Sequence, residues 1–193
     1  VAGGARRQDS VRLGLESLVE LAPDKVLIHD AARPFVEAGT ITAVLAALDE
    51  TAGAIAAVPV TDTLKRGRGG HIGSTLDRNG LWRAQTPQGF RFAGILDAHR
   101  AVAGGPELTD DAAVAEKAGL NVALALGSEN NFKITTQEDL QRAERILMTD
   151  SAGATTTTDV RVGTGLDVHR FTERHHIPPR GLPIPQDRRP AGH

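Results

Sequence analysis

The chain has no cysteine among its 193 residues, which removes both a disulfide framework and a thiolate metal site from consideration. Aromatic residues make up only 3% of the sequence, so the core must be mostly aliphatic. Neither sign of charge dominates: 22 Lys and Arg stand against 24 Asp and Glu. That balance argues against a nucleic-acid-binding arm and against a disordered polyelectrolyte. No apolar run approaches a membrane span, and the first residues do not read as a signal peptide. The expectation is a soluble, cytoplasmic protein with no nucleic acid or membrane as partner. The length allows one good core and part of a second.

What is present begins with His29-Asp30-Ala31-Ala32-Arg33-Pro34, directly after the apolar run Lys25-Val26-Leu27-Ile28. A short aliphatic run without alternation predicts a buried strand of a parallel sheet. Ligands of open α/β sheets bind beyond the carboxyl ends of such strands, where Asp30 and Arg33 fall. Around this strand, helical periodicity covers Ser10 to Ala22, and about Thr40 to Thr51. Ala54 to Val58 predicts a second buried strand. Alternating helix and strand is the rhythm of a parallel α/β sheet. Val60 to Lys65, a Gly/Arg turn at Gly67 to Gly70, and Ile72 to Arg78 predict a β-hairpin arm. Gln85 to Phe90 reads as a loop, followed by a helix near Ala93 to Ala103. Thr109 is the expected cap of a helix reaching Ala118. Asn121 to Leu126 reads as a third strand. Thr136-Gln137-Glu138-Asp139 is a capping box for a last helix ending near Met148. Residues 150–158, with four consecutive threonines, read as a linker between a domain at 1–149 and a new segment at 159–193.

Four polar groupings accompany these elements: Gly3 and Gly4 with Arg7 and Ser10, Asp30 with Arg33, Thr63 with Arg78, and Thr109 with Lys133. Arg and Lys give phosphate oxygens charge-assisted hydrogen bonds. A Gly pair lets backbone N–H groups approach a ligand, and a helix N-terminus favours anions. A carboxylate near clustered phosphates usually acts through Mg²⁺. Singly each has a plain reading. Gly3-Gly4 reads as a turn, and Arg78 beside Asp77 as a surface ion pair. Together they point to a phosphorylated substrate.

In chain order stand Gly3-Gly4 through Arg7-Gln8-Asp9-Ser10-Val11, His29 to Pro34, Asp62-Thr63-Leu64-Lys65 and Asp77 to Trp82. Gln85-Thr86-Pro87-Gln88, Thr109-Asp110-Asp111 and Asn131-Phe132-Lys133-Ile134-Thr135 follow. This series resembles the 2-C-methyl-D-erythritol 4-phosphate cytidylyltransferase family over residues 1 to about 148. The resemblance implies an α/β fold: a Rossmann-like nucleotidyltransferase sheet with a hairpin dimerisation arm. It implies CTP and 2-C-methyl-D-erythritol 4-phosphate as substrates, Mg²⁺ as cofactor, and a homodimer. Asp30, Arg78 and Lys133 would be catalytic. Gly3, Gly4 and Ser10 would meet the cytosine and Ala31 the ribose. Arg33, Thr86 and Thr109 would line the acceptor pocket, which Thr63 and Arg78 would reach from the partner's hairpin. The family opens with a strand, a glycine-rich basic loop and a lysine that are not found here. The expectation is therefore that this chain by itself transfers poorly or not at all.

Arg161 to Phe171 contains Gly163-Thr164-Gly165-Leu166-Asp167-Val168-His169. Asp167 and His169 would share one face of a strand, and imidazole with carboxylate suits Zn²⁺; spacing alone also fits a plain strand end. The segment resembles the start of the 2-C-methyl-D-erythritol 2,4-cyclodiphosphate synthase family. That resemblance implies Asp167 and His169 as two of three ligands to Zn²⁺ or another divalent cation, in a short piece of a second α/β domain. The reading is thus part of a bifunctional nucleotidyltransferase and lyase. The rival readings are a non-catalytic nucleotide-binding or dimerisation module, and a nucleotidyltransferase for another sugar phosphate.

Overall fold

The structure, a computed structural model, describes residues 1–152, 171–172 and 189–190. The chain divides into two units, Val1–Thr157 and Thr158–His193. In the first, the elements run α1 (Arg7–Glu16), β1 (Lys25–Ile28), α2 (Ala38–Ala47), β2 (Gly53–Pro59), β3 (Leu64–Arg68) and β4 (His71–Leu76). They continue with β5 (Trp82–Arg91), α3 (Phe92–Ala101), α4 (Asp111–Lys117), β6 (Val122–Leu126) and α5 (Gln137–Ala152). In the second unit, β7 (Phe171–Thr172) pairs antiparallel with β8 (Arg189–Pro190).

The central sheet has the order β1-β5-β2-β6. β2 is the buried strand that its composition predicts; every residue but Pro59 is buried. Its alternation sorts side chains onto two faces. Ile55 joins Leu15, Phe90, Ile95 and Val114, under α1, α3 and α4. Ala54 and Ala56 join Val44, Leu48 and Ala125, under α2. The result is a mixed α/β domain with helices on both faces of its sheet.

Three expectations are corrected. The sheet is not purely parallel: β2 and β6 are parallel, but β5 lies antiparallel to both β1 and β2. Gln85 to Phe90 is not a loop but the buried end of β5. Its polar side chains, Gln85, Thr86 and Gln88, are buried because each finds partners inside. The first helix stops at Glu16 rather than Ala22. Ser17 Oγ turns back to the Gly14 carbonyl at 2.7 Å, and Leu18 N–H bonds Leu15 O at 3.0 Å, tightening the end into turns.

A hairpin forms as expected, β3 pairing with β4, but its first strand runs Leu64–Arg68 rather than Val60 to Lys65. Gly69 and Gly70 have φ of +57° and +79°, the left-handed conformation that a tight two-residue turn requires. The capping box also forms. Thr136 Oγ1 accepts from Asp139 N–H at 3.2 Å, and Asp139 Oδ2 accepts from Thr136 N–H at 2.9 Å. Among the described residues, no helix is long and apolar enough to cross a membrane.

Candidate active site

β1 ends at Ile28, and the chain turns at once, Arg33 N–H bonding Asp30 O at 2.9 Å. This turn is fastened to β5. Asp30 N–H donates to Thr86 Oγ1 at 3.0 Å, and the same hydroxyl lies 2.9 Å from His29 Nδ1. His29 Nε2 lies 3.0 Å from the Arg33 carbonyl; a carbonyl only accepts, so Nε2 is the donor.

A second segment, after β6, docks against this turn. Asn131 is fully buried. Its amide donates to Thr86 O at 2.7 Å, while its backbone carbonyl accepts from Arg33 Nη1 at 2.7 Å. Ile134 N–H bonds Ala32 O at 2.8 Å. Phe132 stacks on Phe35 with centroids 5.7 Å apart, and the Arg142 guanidinium lies 4.1 Å over its ring. Held on both sides, Lys133 brings Nζ to 3.0 Å from Asp30 Oδ2.

The N-terminus of α4 supplies a further wall. Its cap is Asp110, not Thr109: Asp110 Oδ1 accepts from Ala113 N–H at 2.9 Å, as an N-cap carboxylate does. Gln88 Nε2 donates to Asp110 Oδ2 at 2.8 Å.

These segments line an open cavity of about 330 Å³. Of the candidate residues, Asp30, Arg33, Thr86, Thr109 and Lys133 line it together. Gln85, Gln88, Asp110 and Arg7 line it too. Arg7 stands out in the sequence only as part of the Gly3-Gly4 grouping. Its signal is a cation in the first turn of a helix, but nothing local aims it at Asp30.

Three cations surround Asp30: Lys133 at 3.0 Å, Arg7 Nε at 3.7 Å and Arg33 Nε at 3.9 Å. Burial pulls Arg33 below the ordinary guanidinium value, with Asp30 opposing. Burial pulls Arg7 in the same direction, but its bond to Asp111 and the charges of Asp111, Asp30 and Asp110 carry it above that value. Three cations and the carboxylates of Asp30 and Asp110 thus line one cavity, with Asp111 paired to Arg7 behind it.

The remaining candidates lie elsewhere. Gly4 N–H donates to Ser10 Oγ at 2.9 Å, closing a turn at the start of α1. A Cβ at Gly4 would come 2.4 Å from Asp9 Cβ, so the turn needs glycine for close approach. Gly3, Gly4, Ser10 and Ala31 do not line the cavity. Thr63 and Arg78 sit at the hairpin base, where Arg78 Nη1 bonds the Thr61 carbonyl; they too lie outside the cavity of their own chain. Asp167 and His169 lie outside the described residues.

A protein-built magnesium site does not fit these residues. Both Asp30 oxygens face cations, and both Asp110 oxygens accept hydrogen bonds. No group of three His, Asp or Glu capable of holding a metal occurs among the described residues.

Comparison with known proteins finds matches along the whole chain. The model of a family described as IspD, 2-C-methyl-D-erythritol 4-phosphate cytidylyltransferase, matches residues 1–149. The chain is 56% identical over 193 residues to the bifunctional enzyme IspD/IspF of Rhodospirillum rubrum, covering all of this chain and 48% of that protein. It is 51% identical over 193 residues to that of Rhodobacter capsulatus, covering all of this chain and 50% of that protein. The chain thus spans about half the length of the curated relatives it matches. Among solved structures it resembles the 2-C-methyl-D-erythritol 4-phosphate cytidylyltransferase of Thermus thermophilus, with 39% identity and a TM-score of 0.71, over 77% of this chain and 72% of that one. It also resembles the bifunctional IspDF of Campylobacter jejuni, with 26% identity and a TM-score of 0.63, over 74% of this chain and 36% of that one.

Proposed function

Because the chain belongs to the 2-C-methyl-D-erythritol 4-phosphate cytidylyltransferase family, we propose that its cavity holds the acceptor of a cytidylyl transfer in non-mevalonate isoprenoid biosynthesis. The acceptor is 2-C-methyl-D-erythritol 4-phosphate and the donor is CTP. The observation that carries this reading is the set of Arg33, Lys133 and Arg7 around Asp30 in one cavity. An acceptor phosphate oxygen attacks the α-phosphorus of CTP; the bond to the β-phosphate breaks and pyrophosphate leaves. Such a step asks little covalent work of the protein, and positioning and charge neutralisation carry it. Lys133 and Arg33 neutralise the acceptor phosphate. Asp30, Thr86 and Thr109 offer oxygens to the acceptor's hydroxyl groups. Gly3, Gly4 and Ser10 face the cytosine, and Ala31 the ribose. Magnesium in this reading belongs with the nucleotide's phosphates, because the cavity's carboxylates are already engaged.

The hairpin β3–β4 serves as the arm of a homodimer. Thr63 and Arg78 lie outside the cavity of their own chain, which supports their service to the partner's. Residues 1–149 form the transferase domain and 150–158 a linker, into which α5 continues as far as Ala152 rather than ending near Met148. Residues 159–193 begin a cyclodiphosphate synthase domain in which Asp167 and His169 hold Zn²⁺ or another divalent cation. The full-length coverage by bifunctional relatives supports this organisation.

The test is calorimetric titration of the chain with 2-C-methyl-D-erythritol 4-phosphate and a panel of other sugar phosphates. A parallel assay follows pyrophosphate release from CTP. Saturable binding selective for the methylerythritol compound is expected. Equal binding across the panel, or none, overturns the reading.

A further inference from the structure

Behind the cavity lies a buried polar pair, His99 and Asp111, that the proposed transfer does not use. His99, in the last turn of α3, and Asp111, the first residue of α4, are both fully buried. His99 Nε2 lies 3.1 Å from Asp111 Oδ1. The other carboxylate oxygen, Oδ2, accepts from Arg7 Nη2 at 2.7 Å. Arg7 in turn presents Nε to Asp30 Oδ1 at 3.7 Å. Burial would push the Asp111 carboxyl up, yet the bonds from His99 and Arg7 hold it below the usual carboxylate range.

We propose that His99, which does not line the cavity, positions Arg7 through Asp111. A guanidinium is a rigid planar fork, so the orientation of one edge dictates that of the other. Arg7 serves two carboxylates, Asp111 with Nη2 and Asp30 with Nε. Where Nε points therefore depends on how Asp111 is held. A carboxylate only accepts, so His99 must donate through Nε2. That bond occupies Oδ1 and leaves Oδ2 alone for Arg7. Without it, Asp111 keeps a buried oxygen unsatisfied, a costly state. The carboxylate then relieves itself by turning both oxygens to the Arg7 fork, since bidentate pairing is the strong arrangement. That turn draws Nε away from Asp30, and the cavity loses the orientation of its third cation.

The proposal rests on the reading of the cavity as an acceptor site, and its test separates the two. In the full chain, His99→Leu removes the donor, His99→Gln restores an N–H at similar reach, and Arg7→Met removes the fork. From the size of a hydrogen bond to a charged group, His99→Leu should weaken binding of 2-C-methyl-D-erythritol 4-phosphate about tenfold, and His99→Gln only about threefold. The double variant His99→Leu/Arg7→Met should bind no more weakly than Arg7→Met, the non-additivity expected of residues acting in series. Independently of any ligand, the NMR signal of the Arg7 Nε–H should shift in His99→Leu and return toward its wild-type position in His99→Gln. If His99→Leu does not fold, His99→Asn, too short to reach Asp111, replaces it. An Arg7 signal indifferent to His99, or a loss of binding that persists undiminished in the Arg7→Met background, overturns the proposal. Wild-type chain that binds no acceptor while its Arg7 signal responds to His99 overturns the reading of the cavity and leaves the positioning chain standing.

Discussion

Gln88 and Asp110 join β5 to α4 across the floor of the cavity. The Gln88 amide donates to Asp110 Oδ2 at 2.8 Å, and its oxygen accepts from Ala112 N–H at 2.9 Å. One side chain, 1% exposed, thus satisfies both an orphan N–H of a helix start and the helix's cap. Gln88→Leu leaves the buried Ala112 N–H without a partner and takes one from Asp110, which also faces the cavity. The expected loss is about 1–3 kcal/mol in urea unfolding, the cost of one buried group deprived of its partner. A loss well below about 1 kcal/mol would show that the linkage is not needed.

Gly89 and Gly14 make a matched pair. A Cβ at Gly89 would stand 2.7 Å from Val44 Cγ1 and 2.9 Å from Leu27 Cδ2, inside the packed face under α2. Gly89→Ala should cost about 1–3 kcal/mol by overpacking. Gly14, within α1, has nothing within 4 Å of such an atom. Gly14→Ala should raise stability by up to about 1 kcal/mol through helix propensity. Thermal unfolding of both variants should move in opposite directions.

The capping box gives a dependence on acid. The backbone N–H groups of Thr135 and Thr136 bond the Asp139 carboxylate and hold its pKa down at about 2, from an ordinary 3.8. A carboxyl lowered by folding stabilises the folded state above its unfolded value, and that contribution is lost as pH falls toward the folded one. The start of α5 should therefore loosen between about pH 4 and about pH 2. An NMR titration of the Asp139 carboxyl with a midpoint near its ordinary value would contradict this, and Asp139→Asn should abolish the effect.

Lys133 separates binding from stability. Its side chain is 45% exposed, so Lys133→Ala should leave the unfolding midpoint close to wild type. In the proposed reading, removing its charge should still weaken binding of 2-C-methyl-D-erythritol 4-phosphate about tenfold in calorimetric titration. Unchanged binding would place the acceptor elsewhere.

The hairpin arm carries an exposed Ile72, with Leu81 and Trp82 partly exposed after β4. In sedimentation velocity the chain should behave as a dimer and Ile72→Asp should shift it toward monomer. A wild-type monomer at all concentrations would remove the arm's proposed role.

The helices, β2, the hairpin and the capping box are legible in the sequence because each is a local pattern: periodicity of apolar residues, glycines at a turn, a cap at its spacing. β5 is not. Gln85-Thr86-Pro87-Gln88-Gly89 has the composition of a loop, and its burial depends on partners far along the chain, such as Asn131 and Asp110. With β5 hidden, the antiparallel pairings at the centre of the sheet are hidden as well. Asp30, Arg33, Thr109 and Lys133 are legible as motifs, but the place of Arg7 beside them is not, because its two carboxylates come from β1's turn and from α4.

The fastenings around Asp30 also set the order in which the domain can assemble. Arg7 and Asp111 stand 104 positions apart, Arg33 and Asn131 98, and Asp30 and Thr86 56. Contacts so distant in sequence form only after their loops have closed, which makes them slow to appear in folding. The cavity exists only where these distant contacts are made. A ligand that fills it therefore stabilises the folded sheet and its helices together, by an amount that grows with ligand concentration.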